Sequence, residues 1–109
     1  MIISNMEEIP GKPVLRHLGV VQGSTVQTKN LFRDFGAGLK NLIGGELKSY
    51  TALMNEARHE AVNRMTREAV AIGANAVVNV RFATSTITGG AAEILAYGTA
   101  VVIEGGADD

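Results

Sequence analysis

Hydrophobic and polar positions along this chain change period several times, and each change marks an element. Residues 14–26 carry Leu18, Val20 and Val21 at the centre of a strand-like run, interrupted by Gly19 and Gly23. Glycine inside a strand signals a bulge or a close backbone approach. From Asn30 to Gly45 the apolar positions Leu31, Phe35, Leu39 and Ile43 recur every four residues, which predicts a short helical segment weakened by Gly36 and Gly38.

Residues 46–72 form the clearest pattern. At 100° per residue, Tyr50, Met54, Ala57, Ala61, Met65, Ala69 and Ile72 share one stripe, with Glu56, Glu60, Asn63 and Arg67 opposite. Glu60 precedes Arg64 by four, a favourable exposed pair. Gly73 stands where a left-handed C-terminal cap belongs. Such a helix is ~40 Å long, more than a small sheet easily covers.

Two strands follow. Residues 75–84 alternate, with Val78, Val80 and Phe82 on one face and Asn79 and Arg81 on the other. Residues 86–90 read as a hairpin connection. Residues 93–103 are apolar on both faces: Ile94, Ala96, Ala100 and Val102 on one, Leu95, Tyr97, Val101 and Ile103 on the other. A strand apolar on both sides belongs at the centre of a sheet covered on both faces. One helix covers one face, and a second copy of the chain is the simplest cover for the other. The expected fold is a single α/β (α+β) domain over residues 1–109, ordered β-(short α)-α-β-β. Its three-stranded antiparallel sheet packs on one long helix, with the last strand central. Residues 1–12 read as an arm and 104–109 as a frayed tail.

Composition narrows the function classes. Net charge is −1 with no block of like charge, and there are five Phe and Tyr and no Trp. The basic footprint of a nucleic-acid binder is missing, and the few aromatic residues weaken any base-stacking platform. No apolar run nears the roughly 20 residues that span a membrane, and the N-terminus lacks signal-peptide features, so a cytoplasmic location is expected. Thirteen glycines serve mainly as punctuation at element ends. With no cysteine, disulfides, thiolate metal sites and a cysteine nucleophile are excluded.

Other candidate chemistry is sparse. His17 and His59 stand far apart in sequence, so no short ligand motif joins them; they are weak candidates for metal ligation. Arg58 and Glu68 fall on or near the apolar stripe, and a charge on a buried face needs a partner. Arg58 is expected to pair with Asp34 or with a carboxylate of a neighbouring subunit; solvation of both side chains, or a binding role, are the alternatives. Gly44 and Gly45 before a long helix could cradle an anion, with Lys48, Ser49 and Tyr50 downstream, although the spacing is not that of a P-loop. A tight turn into a helix is the expected reading of the pair. No serine sits in a nucleophile elbow. Tyr97 and Phe82 read as core or interface.

Asn30-Leu31-Phe32-Arg33-Asp34 leading to Ile43-Gly44-Gly45, Tyr50, Glu56-Ala57-Arg58, Gly73-Ala74-Asn75-Ala76-Val77-Val78 and Tyr97-Gly98-Thr99-Ala100-Val101 together resemble the YbjQ family. These are small bacterial and archaeal proteins labelled heavy-metal-binding, and the resemblance covers residues 14–103. It implies a dodecin-like β-α-β-β subunit in a ring-shaped homopentamer. One relative is a selenium-binding protein that uses a cysteine, which this chain lacks. The functional expectation is a non-enzymatic homo-oligomeric scaffold or binding protein of unknown cofactor. A metal or oxyanion binder, and an enzyme whose site at subunit interfaces uses Arg58, Asp34 and Tyr50, are the alternatives. Candidate ligand-binding residues are Asp34, Gly44, Gly45, Tyr50 and Arg58.

Overall fold

A computed structural model of the chain describes residues 1–27, 45–87 and 91–105. Its elements are β1 (Ile2–Ile3), β2 (Val14–Gln27), α1 (Gly45–Ala71), β3 (Ala76–Ile87) and β4 (Ala91–Ile103). The short helical segment expected from Asn30 lies outside the described residues up to Gly44, as do residues 88–90 and 106–109; the hairpin connection expected over 86–90 is corrected at its start, since residues 86 and 87 belong to β3.

The strands form one four-stranded sheet in the order β1-β3-β4-β2. β4 is central, as its two apolar faces require, and pairs antiparallel with both β2 and β3. The fourth strand comes from the N-terminal arm. Ile2 and Ile3 pair in parallel with Ala76 and Val77. The three-stranded expectation is corrected here because short segments carry too little periodicity to be read as strands.

α1 packs on one face of the sheet, centred on β2 and β4. Ala57, Ala61, Met65 and Ala69 are buried against Val21, Val77, Val80, Ile94, Ala96 and Ala100. The close approach is built by small residues. A Cβ on Gly23 would stand 2.3 Å from both the Ala61 carbonyl oxygen and the Met65 amide nitrogen. Next to it, buried Thr25 donates its hydroxyl to the Ala57 carbonyl at 3.2 Å, satisfying the one buried polar side chain among the described residues.

The buried stripe of α1 is narrower than the helical wheel suggests. Buried positions recur every four residues, so the contact line drifts about 40° per repeat relative to the helix. By the last turns it has moved away from Glu68, which is exposed. Ile72 is also corrected: at 46% exposure it lies past the last buried position, Ala69. Gly73 ends the helix at φ 90°, donating to Val70, while Ala74 donates to Ala69. This is a Schellman cap, with Gly73 as the left-handed residue.

Bulges re-phase two strands. Register shifts occur at His17/Gly19 in β2 and at Val78/Arg81 in β3. The second corrects the expected alternation: Val80 packs under α1, whereas Val78 joins Ala76, Val101 and Ile103 on the opposite face. Asn79 takes the bulge at φ 55°, and its amide donates to Met6 while that of Val80 donates to Ser4. Opposite lies Gly98, where a Cβ would meet the Val77 side chain at 2.8 Å and the Val78 carbonyl oxygen at 2.9 Å.

The second face therefore has two halves. Ile2, Ile9 and Val14 pack against Ala76, Val78, Val101 and Ile103. The chain's own arm thus covers a region expected to need a second copy. Asn75 clamps this end, with its side-chain amide donating to the Ile103 carbonyl at 3.0 Å and accepting from the Ile103 amide at 2.7 Å. Beyond the arm no described residue is packed over Val20 and Val26, which are 72% and 54% exposed. No helix among the described residues is long and apolar enough to cross a membrane.

Candidate functional site

Because α1 lies mainly over β2 and β4, it covers Val77 and Val80 of β3 but, among the described residues, leaves the helix-side face beyond them uncovered. Phe82 pairs with Ala96 and so points to the helix side, but it is 49% exposed. It was expected to be core or interface; in the single chain it is not core. Phe82 forms one wall of a cleft of about 300 Å³, whose other wall is the α1 flank Asn55, Arg58, His59, Val62 and Asn63. Arg58 is half-buried and donates from Nη2 to the Asn55 Oδ1 one turn earlier, which fixes the guanidinium along the groove. The flank carries one permanent cation, one imidazole and two amides beside an aromatic ring. It can receive an acidic or amide-bearing group together with apolar surface.

The ion pair expected for Arg58 is not made within the described residues. Ion pairs there are those of Glu60, with Arg64 at 3.3 Å and with Arg67 at 2.9 Å. Within the described residues the guanidinium is served by Asn55. Asp34, the other partner considered, lies outside the described residues.

The opposite flank of α1 faces the β2 edge and has different character. Leu53, Glu56, Glu60 and Arg64 stand beside Thr25 and Val26. Arg64 also donates from Nη1 to the Ser24 carbonyl at 2.6 Å, tying this flank to β2. Glu56 is exposed and makes no hydrogen bond or ion pair with the described residues.

The remaining candidates do not converge. His17 is exposed and lines a separate cleft with arm residues including Glu8, Lys12 and Pro13. His59 lines the Phe82 groove. No three His, Asp or Glu side chains gather as a metal site among the described residues, and the chain has no thiol, so this donor set does not fit a resident heavy metal. Gly45 opens α1, while Gly44 and the side chain of Tyr50 lie outside the described residues. Asn55, Val62, Asn63 and Phe82 were not singled out from sequence as a group. The spacing of 55, 58, 59, 62 and 63 marks one helix flank, but only the offset of α1 toward β2 reveals that this flank lines a groove with Phe82.

A small α+β unit whose described residues place one helix on a bulged, mainly antiparallel sheet, with an amphipathic groove beside the helix, is the class these features define. The chain belongs to the YbjQ family: the family model, described as "Putative heavy-metal-binding", matches residues 1–104. Relatives include a UPF0145 protein of Hahella chejuensis, 61% identical over 95% of this chain and all of its own length. Another, from Methanoculleus marisnigri, is 59% identical over 93% of this chain and 94% of its own. The crystal structure of a DUF74-family protein of unknown function from Pediococcus pentosaceus superposes with a TM-score of 0.62 at 14% identity, over 95% of this chain and 98% of that one. That likeness is one of fold.

Proposed function

We propose that the chain is the dodecin-like subunit of a homo-oligomeric ring, a non-enzymatic scaffold or small-ligand-binding protein. One observation carries this reading: the sheet has an open edge on each side. Among the described residues β2 pairs only with β4 along its length, and β3 beyond the arm, residues 81–87, pairs only with β4. Long unpaired edges are templates for strand pairing, which single-chain proteins usually block. Two different edges on opposite sides favour head-to-tail contact, which closes into a ring when the rotation allows. The exposed Val20 and Val26 on the β2 edge strand agree with burial in an assembly. Five subunits is the number that the family resemblance implies.

Light-scattering chromatography across a range of protein concentrations tests the reading. A constant mass near five subunits is expected; a monomer at every concentration overturns it. The metal-binding alternative draws on the family description. Elemental analysis of protein purified without an affinity tag should find less than one metal ion per chain, whereas a stoichiometric ion would restore that alternative.

A further inference from the structure

Resting on the ring reading, we infer that the Phe82 groove is the seat of a neighbouring subunit's α1, through its Glu56 and Glu60 flank. The two flanks of α1 are complementary. One presents Arg58 and His59 with no carboxylate lining the groove among the described residues, and the other presents Glu56 and Glu60 together with Arg64, which Glu60 holds. Each flank sits over one of the two open edges: the cationic flank beside β3, the acidic flank beside β2.

Geometry brings them to the same height. β2 and β3 both run antiparallel to β4, so they run parallel to each other. Rotation about an axis along the strands keeps that direction, so β3 of one subunit can meet β2 of the next in parallel, with their helices side by side. Glu56 and Arg58 are two residues apart, about 3 Å along the helix axis. A neighbour related by rotation therefore presents its Glu56 within about one turn of Arg58. Spacing fits as well. Three strands at ~4.8 Å give one helix per roughly 14 Å of sheet, against 8–10 Å for helices in direct contact. The gap suits long side chains, and Phe82, Arg58 and Glu56 are of the length to fill it. Glu60 already holds Arg64 and Arg67, which leaves Glu56 as the free carboxylate for Arg58.

Charge reversal tests the seam. Arg58→Glu and Glu56→Arg should each lower the solution mass at concentrations where the wild type is fully assembled, by at least a tenfold weakening of association. The double variant R58E/E56R, which restores complementarity around the ring, should recover the wild-type mass. Single variants that keep the assembled mass, or a double variant no better than the singles, overturn the seam while leaving the ring reading intact. A monomeric wild type overturns the ring reading itself. Covalent capture guards against misfolded variants. Glu56→Cys and Arg58→Cys in one chain lie on opposite sides of α1 and cannot be bridged within it. A short bis-maleimide should convert the assembled double-cysteine protein into a ladder of covalent multimers. Only monomers on the denaturing gel, from a sample whose solution mass is oligomeric, would reject this seam.

Discussion

Two positions set how closely the layers approach. At Gly23 the contact is with helix backbone, which cannot rotate away as a side chain could. Gly23→Ala must therefore push α1 off the sheet along the whole Ala57–Ala61–Met65 contact. A loss of about 3 kcal/mol, the upper end for overpacking, is expected. Urea unfolding of the variant should show a lower midpoint at unchanged slope. A midpoint equal to wild type would mean that the layers are not in this contact. Asn79 offers the reverse case. Its φ of 55° suits Asn or Gly, and its amide already bonds Met6. Asn79→Gly should leave stability within a few tenths of a kcal/mol, whereas Asn79→Val should cost about 1–2 kcal/mol from the left-handed conformation alone. Equal stabilities for the two variants would remove backbone conformation as the reason for Asn at this bulge.

At the scale of elements, what was legible in the sequence was what repeats. α1 declared itself by a long apolar spacing and a terminal glycine, and β4 by being apolar on both faces; both were placed correctly, β4 at the sheet centre. What escaped was what breaks a repeat. The bulge at Asn79 moves Val78 to the arm side, and nothing in the alternation of Val78, Val80 and Phe82 signals it, since a valine suits either face. β1 escaped because two residues carry no period; its partner strand gives it meaning. The groove was half legible. Arg58 and His59 were singled out, but as an ion-pair candidate and a weak ligand, because the position of α1 over β2, where its backbone closely approaches Gly23, cannot be read from the helix. The four-residue spacing of 57, 61, 65 and 69 has a further consequence. Met65 is the largest of these side chains and fully buried, so it fills most of the space that three alanines leave. Met65→Ala should cost about 2–5 kcal/mol. A loss under about 1 kcal/mol in urea unfolding would show that the helix–sheet layer collapses around the vacancy and is not tightly packed.

For the whole molecule the decisive question is what the open edges of the sheet do. In an isolated chain, every second backbone amide of residues 81–87, and of β2, points away from β4 and meets no strand among the described residues, so it should exchange its hydrogen at close to the rate of an unstructured peptide. In a ring closed by edge pairing the same amides bond a neighbouring strand. Their exchange should then slow at least 100-fold, which is about 2.8 kcal/mol at 1.4 kcal/mol per tenfold. Amides of β4 provide the internal reference, because they are paired on both sides in either case. Protection of the outward amides on β2 and β3 together, lost together on dilution to the monomer, is the expected pattern for head-to-tail closure. Protection on one edge alone would indicate a two-fold contact in which like edges meet, since an isologous pairing uses a single patch twice. Protection on neither edge, in a sample whose mass is that of a multimer, would move the contacts off the sheet edges to the exposed Val20 and Val26 face. The Arg58 and Glu56 flanks would then have no reason to meet.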